Sequence, residues 1–238
     1  MNNKPIIGIT TDNKENTSQS PHYEVSALYA EKIGQAGGVP IYLSQEISQI
    51  DAYLKLCHGF LFTGGLDPKT EIFGQPTHPK ARPIAQTRQD FEMALLARLH
   101  YNAPEKPVLG ICLGCQMMAL SQCAVLNQYL PDTLENPEQH QHGNQHTIQI
   151  IQQDSVLVGA VSMEDLQSDP VASYHQQAIH KKGNLRIVAK SQDKIIEAVD
   201  DPSHHFFLGV QWHPERGGQG PLNQGLFNRF VAASQISN

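Results

Sequence analysis

Residues 108–120, VLGICLGCQMMAL, decide the fold, because a short apolar run leads through a glycine-flanked cysteine into a helical run. The segment VLGI is typical of a buried parallel strand. A cysteine between two glycines at a strand-to-helix junction is the cysteine form of the G-x-S-x-G nucleophile elbow. The stretch therefore predicts an α/β fold in which Cys112 lies at the end of a strand.

The elbow gives Cys112 a chemical role. Gly110 and Gly114 lack Cβ atoms, so the backbone can turn sharply and hold the cysteine in a strained, exposed position. The helix begins near Leu113, and its dipole favours the thiolate at its N-terminus. The same turn directs the amide of Leu113 into the site, where it can stabilise an oxyanion. We therefore predict that Cys112 is a nucleophile.

A thiolate nucleophile works with a base, and the segment GVQWHPE at 209–215 supplies one. His213 follows an apolar strand, and Glu215 lies two residues further on. The carboxylate of Glu215 can fix the tautomer of the imidazole and stabilise its cationic form. The sequence thus predicts a catalytic triad of Cys112, His213 and Glu215.

The rest of the chain fits this architecture. Helical patterns alternate with apolar strands in the first half, and the second half reads as further strands separated by turns and closed by a helix. Such alternation predicts an α/β three-layer sandwich in which helices flank a central, mainly parallel sheet, with residues 1–238 as one domain. The predicted strands are 5–10, 38–43, 59–63, 107–111, 146–151, 186–191, 194–200 and 206–212, and the predicted helices lie within 22–38, 46–57, 89–101 and 223–234.

Composition limits the possible partners. Lysine and arginine total 17 against 23 aspartates and glutamates, and the formal charge of -6 argues against nucleic acid. No run of eighteen apolar residues and no secretory signal is present, which predicts a cytoplasmic chain without a membrane partner. The four cysteines are then reduced thiols rather than a disulfide framework.

Several segments carry a family resemblance. GICLGCQ, GVQWHPE and FTGGLDP resemble the nucleophile, His-Glu and oxyanion segments of class I glutamine amidotransferases. Over nearly its whole length the chain is similar to free-standing γ-glutamyl-γ-aminobutyrate hydrolases within that superfamily, through KPIIGIT, AGGVPIYL, RQDFE, SYHQQAI and IIEAV.

The resemblance implies a flavodoxin-like sandwich and hydrolysis of a small γ-glutamyl amide through a thioester at Cys112, without a cofactor. It implies an oxyanion hole formed by the amides of Gly65 and Leu113. It also implies that Gln116 and the segment Ser173, Tyr174 and His175 hold the glutamyl group.

Two other functions remain open from the sequence. One is a glutaminase that supplies ammonia to a synthetase partner. The other is a non-catalytic thiol-redox or sensing protein that uses Cys112 and Cys115, although His213 and Glu215 have no obvious task in it. In the hydrolase, Cys115 is a packing residue. The oligomeric state is also open, with a homodimer as the commonest symmetric assembly.

The segment ENPEQHQHGNQHTIQ at 135–149 is rich in glutamine, histidine and asparagine. His140, His142 and His146 are candidate metal ligands, but no cysteine or pair of carboxylates lies near them in sequence. We therefore predict a solvated loop and no metal.

Overall fold

The computed structural model describes residues 4–14 and 22–235. In these residues the helices are α1 (Ala27–Gln35), α2 (Ile50–Leu56), α3 (Gln86–Asn102), α4 (Leu113–Ser121), α5 (Met163–Ser168) and α6 (Gln224–Ala233). The strands are β1 (Ile6–Ile9), β2 (Asp12–Lys14), β3 (His22–Glu24), β4 (Val39–Tyr42), β5 (Gly59–Phe62), β6 (Val108–Ile111), β7 (Val125–Asn127), β8 (Asn144–His146), β9 (Ile148–Ile150), β10 (Val171–Ser173), β11 (Ala178–Lys181), β12 (Arg186–Ser191), β13 (Ile196–Asp200) and β14 (Phe207–Val210).

A central sheet runs through the described part of the chain in the order β4-β1-β5-β6-β14-β13-β11-β7, with β12 and β9 continuing from β13. The pairs from β4 to β14 along this order are parallel. From β14 onward the pairs are antiparallel. The mainly parallel sheet and the antiparallel second half predicted from the sequence are therefore confirmed.

Both faces of the parallel half are covered, because successive side chains on a strand point to opposite faces. Leu61 of β5 joins the core formed with α1 and α6, whereas Phe60 and Phe62 join the core formed with α2, α3 and α4. Continuous apolar strands therefore produce a three-layer sandwich, as predicted.

Helix α1 begins later than its apolar spacing suggests. Ser26 caps the helix by accepting a hydrogen bond from the amide of Leu28, so Val25 lies outside it. Residues 22–24 instead form β3, which pairs with β2. The end of the helix agrees with the sequence, since Gly37 adopts a φ of 90° and its amide donates to the carbonyl of Gly34.

No helix in the described ranges has the length and apolar character needed to cross a membrane.

Candidate active site

The parallel strands β5, β6 and β14 end at the same edge of the sheet, and this edge collects the predicted site. Gly64 follows β5, Cys112 follows β6, and His213 lies shortly after β14. A Cβ added at Gly64 would lie 2.8 Å from His213 Cε1 and 3.6 Å from Cys112 Cβ. The loop after β5 thus touches both residues, and the fold brings the three segments together.

Cys112 carries the backbone strain of the elbow. Its φ of 53° and ψ of -104° are unusual for a residue with a Cβ. Its amide donates to the carbonyl of Val210 at 2.8 Å, which ties it to β14. The conformation places the thiol at the N-terminus of α4, as predicted. The residue is 5% exposed, so the exposed position predicted from the sequence is wrong.

The two flanking glycines serve close packing. A Cβ at Gly110 would lie 2.3 Å from Met118 Sδ, and one at Gly114 would lie 2.3 Å from the carbonyl oxygen of Phe62. Helix α4 can therefore sit directly on β5 and β6. The sequence predicts that these glycines allow the sharp turn, but the positive φ is at Cys112 itself.

His213 is held from two sides. Its Nδ1 donates to Glu215 Oε1 at 2.6 Å, and its amide donates to the carbonyl of Ala172 at 2.9 Å. Burial alone would lower the pKa of His213, but the charges of Cys112 and Glu215 and its hydrogen bonds to both raise it to about 10. These contacts therefore favour the protonated form of the His213 imidazole.

The predicted oxyanion segment lies beside the elbow. A Cβ at Gly65 would lie 2.8 Å from Leu113 Cδ2, so Gly65 packs against the side chain of the residue that carries the other predicted amide donor. The hydroxyl of Tyr29 accepts a hydrogen bond of 3.0 Å from the amide of Gly64. This buried tyrosine fixes the loop between Cys112 and the cavity.

Arg88 holds the backbone of the loop after β5, and it was not among the residues predicted from the sequence. Its Nη2 donates to the carbonyls of Thr63 and Gly64, each at 3.1 Å. The guanidinium is fully buried and pairs with Glu92 at 2.9 Å and Asp12 at 3.0 Å. A signal was available, because Arg88 and Glu92 lie four residues apart within RQDFE, a spacing that pairs charges on one helix face.

A cavity of about 400 Å³ opens beside His213. Its walls include Asp12, Glu24, Tyr29, Tyr174 and Arg216. The guanidinium carbon of Arg216 lies 4.2 Å from the centre of the Tyr174 ring, which stacks the cation over the aromatic face. The volume suits a small molecule, and Arg216 offers a positive group at the wall. Arg216 was not among the predicted site residues, although it directly follows Glu215.

The four predicted substrate-binding residues divide into two groups. Tyr174 lines the cavity, and its ring lies edge-on to that of His213 at 5.4 Å. The other three make contacts inside the protein. Gln116 Nε2 donates to the carbonyl of Gln177, Ser173 Oγ lies 2.8 Å from His146 Nε2, and His175 is buried beside Glu197.

Cys115 is fully buried against β14. A Cβ at Gly209 would lie 2.8 Å from its sulfur, and burial raises the pKa of its thiol well above the usual value. The packing role predicted for it matches this position. A redox pair with Cys112 would need both sulfurs accessible, so the position argues against such a pair.

The prediction that residues 135–149 form a solvated loop is wrong for His140 and His146. His140 is fully buried, His146 is largely buried, and His142 is exposed. The reason is that β8 pairs with β10 and the segment before it folds over β13, where His140 lies 3.3 Å from Glu197.

Comparisons with known proteins identify the family and the fold of the chain. A glutamine amidotransferase-like protein of Rickettsia prowazekii is 29% identical and covers 99% of each chain. The γ-glutamyl-γ-aminobutyrate hydrolase PuuD of Escherichia coli strain K12 is 26% identical and covers 98% of this chain and 94% of its own. A glutamine amidotransferase from Thermotoga maritima shares the fold with a TM-score of 0.60 at 14% identity, over 90% of this chain and 77% of that one. A model of the peptidase C26 family, which has the class I glutamine amidotransferase-like fold, matches residues 5–215, and the chain therefore belongs to this family.

Proposed function

We propose that the protein hydrolyses the γ-glutamyl amide bond of a small γ-glutamyl compound, with Cys112, His213 and Glu215 as its catalytic residues. Membership of a peptidase family supports amide hydrolysis as the reaction class. The observation that carries the proposal is the strained Cys112 at the N-terminus of α4, beside an imidazole held at 2.6 Å by a carboxylate. Strain of this kind costs about 1–3 kcal/mol and clusters at functional sites.

In this mechanism His213 takes the proton of the Cys112 thiol, which forms the thiolate. The thiolate attacks the amide carbonyl, and the amides of Gly65 and Leu113 donate to the oxyanion that forms. His213 then gives its proton to the leaving amine, and a glutamyl thioester remains on Cys112. His213 takes a proton from water, the hydroxide attacks the thioester, and glutamate and the thiolate are released. No cofactor takes part in these steps.

Arg216 is a cationic group for an acidic substrate in a cavity wall that also carries Asp12 and Glu24. Arg216 places a guanidinium at the wall and stacks on Tyr174, so the pair can receive the α-carboxylate of a glutamyl group. The name of the Escherichia coli relative supports γ-glutamyl-γ-aminobutyrate as the first compound to test.

The test is glutamate release from a panel of γ-glutamyl amines, with glutamine and an α-glutamyl amide as comparisons. We expect release from at least one γ-glutamyl amine and none from the α-linked isomer. Protein carrying Cys112→Ala is the matched control. Release that continues unchanged in this variant, or release from the α-linked isomer alone, would contradict the proposal.

An ammonia-supplying glutaminase is the main alternative, and the same panel separates it. In that case glutamine would be the substrate, and turnover would rise when a synthetase partner is added. A redox protein built on Cys112 and Cys115 is disfavoured by the complete burial of Cys115.

A further inference from the structure

A second cluster of polar side chains lies outside the active site, around the carboxylate of Glu197 on β13. His140 Nδ1 lies 3.3 Å from Glu197 Oε1, His146 Nε2 lies 3.6 Å from it, and His175 Nε2 lies 3.8 Å from it. The rings of His146 and His175 stand about 5 Å from that of His140, centre to centre. Three imidazoles from separate segments thus face one carboxylate.

The atoms that meet there are buried, and their contacts with one another are ion pairs without good hydrogen-bond geometry. Glu197 and His140 are completely buried, with 0% solvent exposure, and His175 is 3% exposed. Among the described residues, His140 Nδ1, His175 Nε2 and both carboxylate oxygens of Glu197 are buried without a hydrogen-bond partner. Burying such groups unpaired is costly, and a convergent set of them indicates a group that is bound between them.

We propose that His140, His175 and Glu197 hold a structural zinc ion and that His146 moves away from Ser173 to become the fourth ligand. Metal-to-ligand distances of about 2.0–2.1 Å place the ligand atoms of a tetrahedral zinc ion about 3.3 Å apart. The three nitrogen-to-oxygen distances given above are close to this value. Three imidazoles and one carboxylate suit Zn²⁺, whereas Ca²⁺ and Mg²⁺ need a shell of oxygen ligands.

The surroundings already hold the ligands in the form that a metal needs. His175 Nδ1 donates to the carbonyl of Gln177 at 2.9 Å, which leaves a lone pair on Nε2. His140 Nε2 lies 2.9 Å from Asp193 Oδ2, a carboxylate-histidine pair of the kind that supports metal ligands. His146 Nε2 lies 2.8 Å from Ser173 Oγ, and coordination would replace that hydrogen bond.

The site would brace one wall of the active site. Four protein ligands leave no open position on zinc, so the ion has a structural task. His146 belongs to β8, which pairs with β10, and the carbonyl of Ala172 in β10 accepts from the amide of His213. Zinc would therefore link β10 to β13, and β10 is the strand that positions His213 and Tyr174.

The experiment measures zinc by mass spectrometry in the purified full chain, before and after removal with a chelator and reconstitution with Zn²⁺. We expect about one zinc per chain in wild type, as a structural zinc site requires, and a lower melting temperature after removal that added Zn²⁺ restores. Replacing the zinc by Co²⁺ should give the strong visible absorption of a four-coordinate site.

Variants locate the ion. Asp193→Asn keeps all four ligands and should weaken zinc binding by about 10–100-fold. Glu197→Gln should weaken it further. His142→Gln is the matched control, because His142 lies in the same segment but is exposed, and it should bind zinc as wild type does. If Glu197→Gln fails to fold, Asp193→Asn still decides the case. Wild-type protein that retains no zinc and whose melting temperature does not respond to Zn²⁺ would overturn the proposal, as would zinc affinity equal in Asp193→Asn and wild type.

Discussion

His213 Nδ1 lies 2.6 Å from Glu215 Oε1, and Glu215 belongs to the 3-10 turn Pro214–Arg216 that directly follows His213. The short turn bends the chain back so that a carboxylate two residues later reaches the ring of the histidine. Both side chains are buried, which strengthens their interaction relative to water. The pair orients the imidazole towards Cys112.

This arrangement predicts unequal effects when each partner is removed. Glu215→Gln removes the charge that stabilises the imidazole, so the rate of glutamate release should fall. The loss should be limited, because the shape of the side chain is kept and His213 can still transfer protons. His213→Ala removes the proton carrier and should cost about one to two orders of magnitude more. The check is kcat for both variants, with folding verified by circular dichroism. The reverse order of losses in folded proteins would show that the two roles are assigned wrongly.

The raised pKa of His213 has a measurable origin. Burial lowers it, but the charges of Cys112 and Glu215 and hydrogen bonds to both raise it to about 10. Cys112→Ala removes one negative charge and one hydrogen bond, so His213 should lose its proton at a lower pH in this variant. NMR titration of the imidazole measures the change, and Cys115→Ala provides the control. The same titration curve for wild type and Cys112→Ala would mean that Cys112 does not carry charge beside His213.

Gly64 is predicted to be essential because of its contact with His213. An alanine there would place Cβ 2.8 Å from His213 Cε1 and 3.1 Å from the hydroxyl of Tyr29. Displacing the imidazole should lower kcat by about tenfold or more. Gly34→Ala is the matched control, because an added Cβ in α1 meets nothing within 4 Å. It should leave kcat unchanged, and equal kcat values for the two variants would refute the positioning role of Gly64.

Glycine at position 112 should make the folded protein more stable than alanine does, contrary to the usual effect of glycine substitution. The φ of 53° at Cys112 favours a residue without Cβ, and relief of about 1–3 kcal/mol of strain exceeds the entropic cost of glycine. Cys112→Gly should therefore unfold at higher denaturant concentration than Cys112→Ala, while both are inactive. Ala119→Gly in the same helix is the control and should cost about 1 kcal/mol or more, because Ala119 is also fully buried. Destabilisation of Cys112→Gly relative to Cys112→Ala would argue that the elbow is unstrained.

The sequence was sufficient for the sheet and the elbow because both depend on short segments. Strand β6 is a continuous apolar run that is buried on both faces, and the cysteine follows it directly. His213 and Glu215 are two residues apart, so their contact needs little tertiary information. Local sequence preferences of this kind agree with the final fold, so they can be recognised without tertiary information.

Contacts between distant segments could not be found in the same way. Arg88 lies 24 residues from Gly64, and an arginine in an amphipathic helix is usually exposed. His140 and Glu197 meet only because β8 pairs with β10 over the sheet. One sign was present in the sequence, since Glu197 lies inside the apolar run IIEAV, where a carboxylate needs a partner.

The central claim is that Cys112, and not Cys115, forms the glutamyl thioester. The most direct measurement compares glutamate release by Cys112→Ala and Cys115→Ala with that of wild type, on a γ-glutamyl amine that the wild type hydrolyses. We expect Cys112→Ala to lose on the order of 10⁴-fold or more in rate while it remains folded. Cys115→Ala should stay within a few-fold of wild type and lose roughly 1 kcal/mol or more of stability, because its side chain only fills the core. Near-normal release by folded Cys112→Ala would contradict the account.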